Sequence, residues 1–248
     1  MGRRVVILGA PVDPVTLEEA VERITSLLRA GGSHQILTLN PEYLFRAQKE
    51  RDLLEIAWRA SLVTADGVGI LWAARRLGFP LPERVTGIDL MVALCRRAAA
   101  EGLSVYLLGS RPGVAEEAAQ RLLQRFPSLK VAGTQHGYFT PAEEPEVLEQ
   151  VRQARPQFLF VGLGSPRQER WIDRHKEELG VPILMGVGGS FDVLSGRVRR
   201  APPLFQRVGL EWLWRLINEP RRLGRMTSLP RFAWLVWRSG REKSEGIE

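Results

Sequence analysis

The feature that most constrains this chain is a unit repeated through its second half: a short apolar run, a glycine-containing loop, then a helical pattern. Residues 104–108, the loop Gly109-Ser110-Arg111-Pro112-Gly113 and residues 114–126 form one such unit. Residues 158–162, the loop Gly164-Ser165-Pro166 and a helix to about Leu179 form another. A short strand at 129–132 and a helix at 145–154 lie between them, and residues 183–187 lead into Gly188-Gly189-Ser190-Phe191-Asp192. Strands alternating with helices at this spacing predict a parallel sheet with right-handed crossovers. The predicted class is α/β: a Rossmann-like, mostly parallel sheet with helices on both faces.

The first half is organised around SLVTADGVG at residues 61–69. Leu62-Val63-Thr64 reads as a strand, Asp66 stands at the mouth of a turn, Gly67 and Gly69 follow, and a helical pattern opens at Ile70. In open α/β sheets such turns line the edge where ligands bind. The residues alone leave Asp66 two readings: cap of the helix beginning near Gly67, or a carboxylate for acid–base chemistry. Upstream, residues 4–9 (RVVILG) read as a buried strand broken by Pro11-Val12-Asp13-Pro14. Thr16-Leu17-Glu18-Glu19 is a capping box opening a helix to about Ala30. Residues 35–39 (QILTL) read as a strand stopping at Asn40-Pro41, with helical patterns over 42–60. Residues 88–101 read as a further helix.

At 248 residues, 44% of them hydrophobic, the chain can build one large domain or a domain with an appendage. Its one cysteine, Cys95, excludes an internal disulfide and fits a reducing compartment; a helical pattern makes it a small core residue. Arg3-Arg4 precede only a short apolar run with no cleavage site, so no signal peptide is expected. Nor is a single membrane-spanning helix, since no stretch of about 18 uncharged apolar residues occurs. Charge divides the chain. Residues 1–196 hold 23 Lys+Arg and 23 Asp+Glu, whereas residues 197–248 hold 12 and 5, which is the whole net charge of +7. Trp212, Trp214, Trp234 and Trp237 lie in that last part. We therefore expect a body over 1–196 and a basic, tryptophan-rich helical appendage over 197–248, suited to an anionic surface with an apolar side.

The glycine loops at 109–113, 162–168 and 186–192 should share one edge of the sheet and present N–H groups suited to phosphate. A dinucleotide fingerprint fails, because Arg167 stands where Gly162-Leu163-Gly164 would need its third glycine, and no P-loop occurs. His34, His136 and His175 lack ligand spacing, so no metal site and no cofactor are predicted. No Asp-x-Asp pair is present to hold a divalent ion on a nucleotide diphosphate. Arginines, 31 against four lysines, would have to neutralise a diphosphate instead.

Five motifs then occur in order: Thr38-Leu39-Asn40-Pro41, Thr64-Ala65-Asp66-Gly67, Arg84-Val85-Thr86-Gly87, residues 162–169 (GLGSPRQE) and Gly188-Gly189-Ser190-Phe191-Asp192. Together they resemble the WecG/TagA/CpsF family of bacterial glycosyltransferases, over roughly residues 5–225. The resemblance implies inverting, metal-independent transfer of N-acetylmannosamine or a related hexose. The donor would be a UDP-sugar and the acceptor a polyprenyl-diphosphate-linked sugar, at the inner face of the cell membrane. It implies Asp66 as the base and Thr38, Asn40, Arg84 and Gln168 as substrate-binding. In the plainer readings, Asn40 only holds its turn and Arg84 pairs with Glu83 or Asp89. Tyr138 and Asp192 are assigned to the uridine, with Gly109, Ser110, Arg111 and Gly164 in the phosphate loops.

The resemblance also gives the appendage a task, membrane contact and closure of the site. Arg215, Arg222 and Arg225 would then reach the diphosphate, and Trp234 and Trp237 beside Arg231 and Arg238 would meet the headgroup region. In the alternative, the segment 232–237 forms a homo-oligomer contact. A rival reading from another class is a non-enzymatic nucleic-acid-binding protein with the basic tail on phosphates. Nucleic acid is nonetheless not the expected partner, because no RNA-binding signature accompanies the tail, whose tryptophans sit among Leu, Val and Phe. The residues leave another hexose open as the donor sugar.

Overall fold

The first apolar run pairs locally instead of joining the main sheet. In the computed structural model, which describes residues 4–202, 204–205, 211, 213–214 and 228–244, β1 (Val5–Ile7) and β2 (Ala10–Val12) form an antiparallel hairpin. Leu8 and Gly9 have φ of 46° and 84°, the left-handed pair that a tight hairpin turn demands. The expected strand break at Pro11 is therefore a second strand, and Val6 is 41% exposed. Pro11 is tolerated because this ribbon is short and lies outside the main ladder.

Asp13 fastens the hairpin to the sheet's outer strand. It is 5% exposed, and its Oδ2 accepts from the Val63 N–H at 2.9 Å while its own N–H donates to the Val63 carbonyl at 2.8 Å. Arg4 and Arg23 approach the same carboxylate at 3.2 and 3.0 Å. The N–H and carbonyl of Val63 at the sheet edge are thus both occupied by Asp13, one by its side chain and one by its backbone.

Six parallel strands form the main sheet: β3 (His34–Leu39), β4 (Leu62–Ala65), β5 (Ser104–Gly109), β6 (Lys130–Gln135), β7 (Phe158–Gly162) and β8 (Ile183–Gly186). Their order is β4-β3-β8-β7-β5-β6. Side chains alternate between two apolar layers, as strands covered on both faces require. Val105, Leu107, Phe158, Phe160, Ile183 and Met185 point to one face. There they meet α1 (Leu17–Ala30), α5 (Gly87–Glu101), α6 (Val114–Arg125) and α9 (Ser190–Leu194). Leu108, Leu159, Val161 and Leu184 point to the other, under α7 (Glu144–Ala154) and α8 (Arg167–Leu179). Cys95 is fully buried in the first layer, where burial pushes its thiol up to about 12.

The helical patterns expected over 42–60 are α2 (Pro41–Ala47) and α3 (Arg51–Arg59). They pack with the hairpin and with α4 (Val68–Arg76) on the outer part of the second face. The last described helix, α10 (Ser228–Ser244), belongs to that cluster too. Phe232 and Val236 are 2% and 0% exposed against it, while Trp234 and Trp237 face outward at 54% and 43%. The Arg238 guanidinium lies 5.7 Å from the Trp234 ring centroid. The apolar segment at 232–237 is amphipathic in its setting, with one stripe sealed against the body.

Asp13→Ala would leave the Val63 N–H and the Arg23 guanidinium without this acceptor, whereas Arg4 keeps its bonds to the Ala60 and Ser61 carbonyls. It should cost about 2–4 kcal/mol, the lower end because both arginines keep solvent contact. Urea unfolding of the two proteins measures this; a difference below half a kilocalorie would show that the hairpin is not held by this carboxylate.

Candidate active site

Parallel strands deliver their following loops to one edge. The loops after β3, β4, β7 and β8 there enclose a cleft of about 470 Å³. Thr38, Asn40, Asp66, Arg84, Gly164 and Gln168 all line it. Phe232 and Ala233 of α10 and Trp72 of α4 add an apolar wall.

Asp66 follows β4 directly, and its N–H continues the ladder to the Leu39 carbonyl at 2.8 Å. It does not cap α4, whose N-cap is Gly67 without a side-chain bond. Its Oδ2 instead accepts from the Gly87 N–H at 3.2 Å, in the first turn of α5. A carboxylate at that end of a helix meets the positive pole of the backbone dipoles. Thr38 adjoins it: a Cβ placed on Gly87 would stand 3.4 Å from Thr38 Oγ1 and 3.9 Å from Asp66 Oδ2. Asn40 does hold its turn, since Oδ1 accepts from the Tyr43 N–H at 2.9 Å as the cap of α2. Its amide NH₂ is the group it can still offer a ligand.

Gln168 joins two loops. Its Oε1 accepts from the Gly188 N–H at 3.0 Å, and its Nε2 donates to Glu169 Oε1 at 2.8 Å. Space for it depends on Gly186, where a Cβ would come within 2.6 Å of Gln168 Nε2. Glu169 is 4% exposed and lines the cleft. Burial pushes its carboxyl above the usual range, although the bond from Gln168 pulls the other way. Neither Glu169 nor Glu42, another lining residue, was singled out by the sequence. The signal for Glu169 was its place beside Gln168 in the GLGSPRQE motif.

Arg84 pairs with neither Glu83 nor Asp89. It donates to Glu211 Oε2 at 3.3 Å, and Glu211 in turn lies 3.7 Å from Arg200. Arg200 grips Asp89 with two 2.7 Å bonds, and the Thr86 hydroxyl donates to the same carboxylate at 2.6 Å. Glu83 is occupied by the Leu17 N–H at 2.8 Å.

The residues assigned to the nucleotide fall in two places. Gly164 lines the cleft, whereas Gly109, Ser110, Arg111, Tyr138 and Asp192 gather at the mouth of β5, outside the described lining. There the Ser110 hydroxyl donates to Asp192 Oδ2 at 3.0 Å, Arg111 comes within 4.0 Å of Asp192, and Tyr138 is 69% exposed. The Gly137 N–H donates to the Ser110 carbonyl at 2.8 Å, tying the two loops together. Arg215, Arg222 and Arg225 lie outside the described residues.

The sequence model of the glycosyl transferase WecG/TagA/CpsF family matches residues 5–246. The chain belongs to this family. Among curated relatives of this WecG/TagA/CpsF glycosyltransferase are proteins of Staphylococcus aureus strains MW2, NCTC 8325 / PS 47 and MRSA252. Each is named N-acetylglucosaminyldiphosphoundecaprenol N-acetyl-beta-D-mannosaminyltransferase. Each is 35% identical over 241 residues, covering 96% of this chain and 94% of the relative.

The link between Asp89 and Arg200 gives this glycosyltransferase a titratable brace behind the cleft. Burial pushes the Asp89 carboxyl up, but the bonds from Arg200 and Thr86 and the charges of Arg200 and Arg84 outweigh it, leaving it below the usual range. A depressed carboxyl adds stability above its unfolded value and loses it as pH falls toward the folded one. Stability should therefore drop below about pH 4, the unfolded range for Asp. Asp89→Asn should be less stable at pH 7 and show a smaller acid-dependent loss. Parallel melting curves from pH 7 to 3 test this, and equal pH slopes for both proteins would refute it.

Proposed function

We propose that this glycosyltransferase moves N-acetylmannosamine from a UDP-sugar to N-acetylglucosamine carried on a polyprenyl diphosphate, with inversion and without a metal ion. The observation that carries this reading is the Asp66 carboxylate, partly buried in the cleft and oriented by the first turn of α5. It agrees with the names of relatives matched over nearly the whole chain. Asp66 takes the proton from the acceptor hydroxyl as that oxygen attacks the anomeric carbon from the face opposite the leaving UDP. The anomeric C–O bond to phosphate breaks, its electron pair stays on UDP, and the configuration inverts. Thr38 and Asn40 orient the sugars beside Asp66, and Arg84 and Gln168 stand near the donor.

With no Asp-x-Asp pair in the chain, arginines take up the charge on the leaving diphosphate. We assign that task to Arg84 and to Arg215, Arg222 and Arg225 of the appendage over 197–248. The pair of loops at the mouth of β5, with Ser110, Arg111, Tyr138 and Asp192, is our site for the nucleotide end.

A lipid-linked acceptor would bring the reaction to a membrane surface, and we propose that this is the inner face of the cell membrane. No described helix is long and apolar enough to cross a membrane. On α10, exposed Trp234, Trp237, Arg231 and Arg238 form an outward face that suits lipid headgroups.

Two experiments test these assignments. With a panel of UDP-hexoses and a short-chain lipid-diphosphate acceptor, product mass should show transfer from UDP-N-acetylmannosamine, and Asp66→Asn should lower turnover about 10²–10⁴-fold with UDP still bound. Near wild-type turnover in that variant removes Asp66 from the chemistry. Sedimentation with phosphatidylglycerol vesicles should carry the wild-type protein down, and Trp234→Ser with Trp237→Ser should leave most of it in solution. Equal partitioning of both proteins excludes this face as the membrane contact.

A further inference from the structure

The walls of the cleft differ in kind. Beside Gln168 the lining is polar side chains and glycine, whereas at the β4 end it is apolar, with Val68, Trp72, Leu229, Phe232 and Ala233. That apolar wall stands where three helices come together. A Cβ on Gly69, in the first turn of α4, would lie 2.6 Å from Pro41 Cγ of α2 and 3.7 Å from Phe232 Cε1 of α10.

Most of α4 is committed to this packing. Ile70, Ala73 and Ala74 are buried in one cluster with Phe232 and Val236. Val68 and Trp72 are turned away from it and are 38% and 44% exposed. Ten large apolar side chains are exposed among the described residues, and these two alone also line the cleft. They therefore form a rim joining the cleft to the outer surface. With the exposed Arg76 they make one row on the helix, i, i+4 and i+8, about 12 Å long. The row begins two residues from Asp66 and ends in a guanidinium.

An exposed tryptophan in the wall of a site offers a large, stiff apolar face to a ligand. The sugar and diphosphate of a UDP-sugar are polar and gain little from it. The nucleotide end is assigned to the mouth of β5, four places from β4 in the sheet, about 19 Å at ordinary strand spacing. The acceptor, in contrast, has an apolar part. Its diphosphate is attached at the anomeric carbon, so the isoprenoid chain and the attacking hydroxyl leave the sugar ring at different points. With that hydroxyl at Asp66, the chain begins one sugar and one diphosphate away, toward the rim.

We propose that Val68 and Trp72 bind the isoprene units next to the acceptor's diphosphate, so that the acceptor is selected by its lipid as well as by its sugar. Arg76 marks the outer end of this path, where the chain passes to the anionic lipid surface. This rests on the reading of a lipid-diphosphate acceptor given above.

Initial rates of the full chain with UDP-N-acetylmannosamine test the proposal, without vesicles or detergent, so that membrane attraction plays no part. Two soluble acceptors are compared, N-acetylglucosamine diphosphate esterified with methanol and with citronellol, which has two isoprene units. The citronellyl acceptor should have kcat/KM about tenfold or more above the methyl one, mostly through KM. Trp72→Ser should bring that ratio to within about twofold and leave the donor KM in place. A variant that merely disturbs the site lowers both acceptors alike and keeps the ratio. Should Trp72→Ser not fold, Val68→Ser is read by the same ratio: narrowing supports the rim, and an intact ratio counts against it. Equal kcat/KM for the two acceptors in the wild type, a ratio unchanged in the variant, or a raised donor KM in its place overturns the proposal and leaves the acceptor class standing. Transfer to neither acceptor overturns both.

Discussion

Everything in this structure follows from six strands running the same way. A parallel ladder cannot be closed by tight turns, so each strand must be followed by a crossover, and every crossover leaves from the same edge. Asp66, Asn40, Gly164 and Gly188 are adjacent in space for that reason, although they come from strands far apart in the chain. The order β4-β3-β8-β7-β5-β6 sets the neighbours. The last strand of the sheet is inserted beside the first, which brings the Gly188 loop next to the Asn40 turn.

Much of this could be read from the residues, because apolar runs punctuated by glycine leave few alternatives for a chain of this length. Thr38, Asn40, Asp66, Arg84, Gly164 and Gln168 share a cleft because each sits at or just beyond a strand end or on the loop beside it. What escaped reading depends on distance through space. The hairpin at the N-terminus has a strand's composition, and only Leu8 and Gly9 in left-handed conformation turn it back on itself. Tyr138, Ser110, Arg111 and Asp192 sit one strand further along than the cleft, and spacing along the chain cannot measure that offset. The partner of Arg84 proved to be Glu211, 127 positions away, where the sequence offered only Glu83 and Asp89 nearby. Glu169 was hidden by its helix: a polar stretch, RQERWIDRHKEEL, gives no sign that its third residue is buried.

Charge is handled differently on the two sides of the site. On one side of the cleft, Arg84 and Glu211 in its lining and Arg200 and Asp89 beyond them alternate in sign, so each buried or partly buried group has an opposite neighbour. At the cleft wall near Glu169 the same economy is absent, and a carboxyl is held by an amide from Gln168 instead of a cation. An amide is neutral and directional. It fixes the position of the group without neutralising its charge.

One contact limits how this architecture can be altered. A Cβ on Gly109 would lie 2.5 Å from the Gly162 carbonyl, and φ at Gly109 is 140°. The ends of β5 and β7 are therefore welded backbone to backbone, with no side chain between them to lengthen or trim. A change of ligand cannot be accommodated by prising these two mouths apart. It has to be absorbed by the flanking residues, so the cluster at Ser110 and the cleft at Gly164 stay at a fixed separation whatever each is asked to hold.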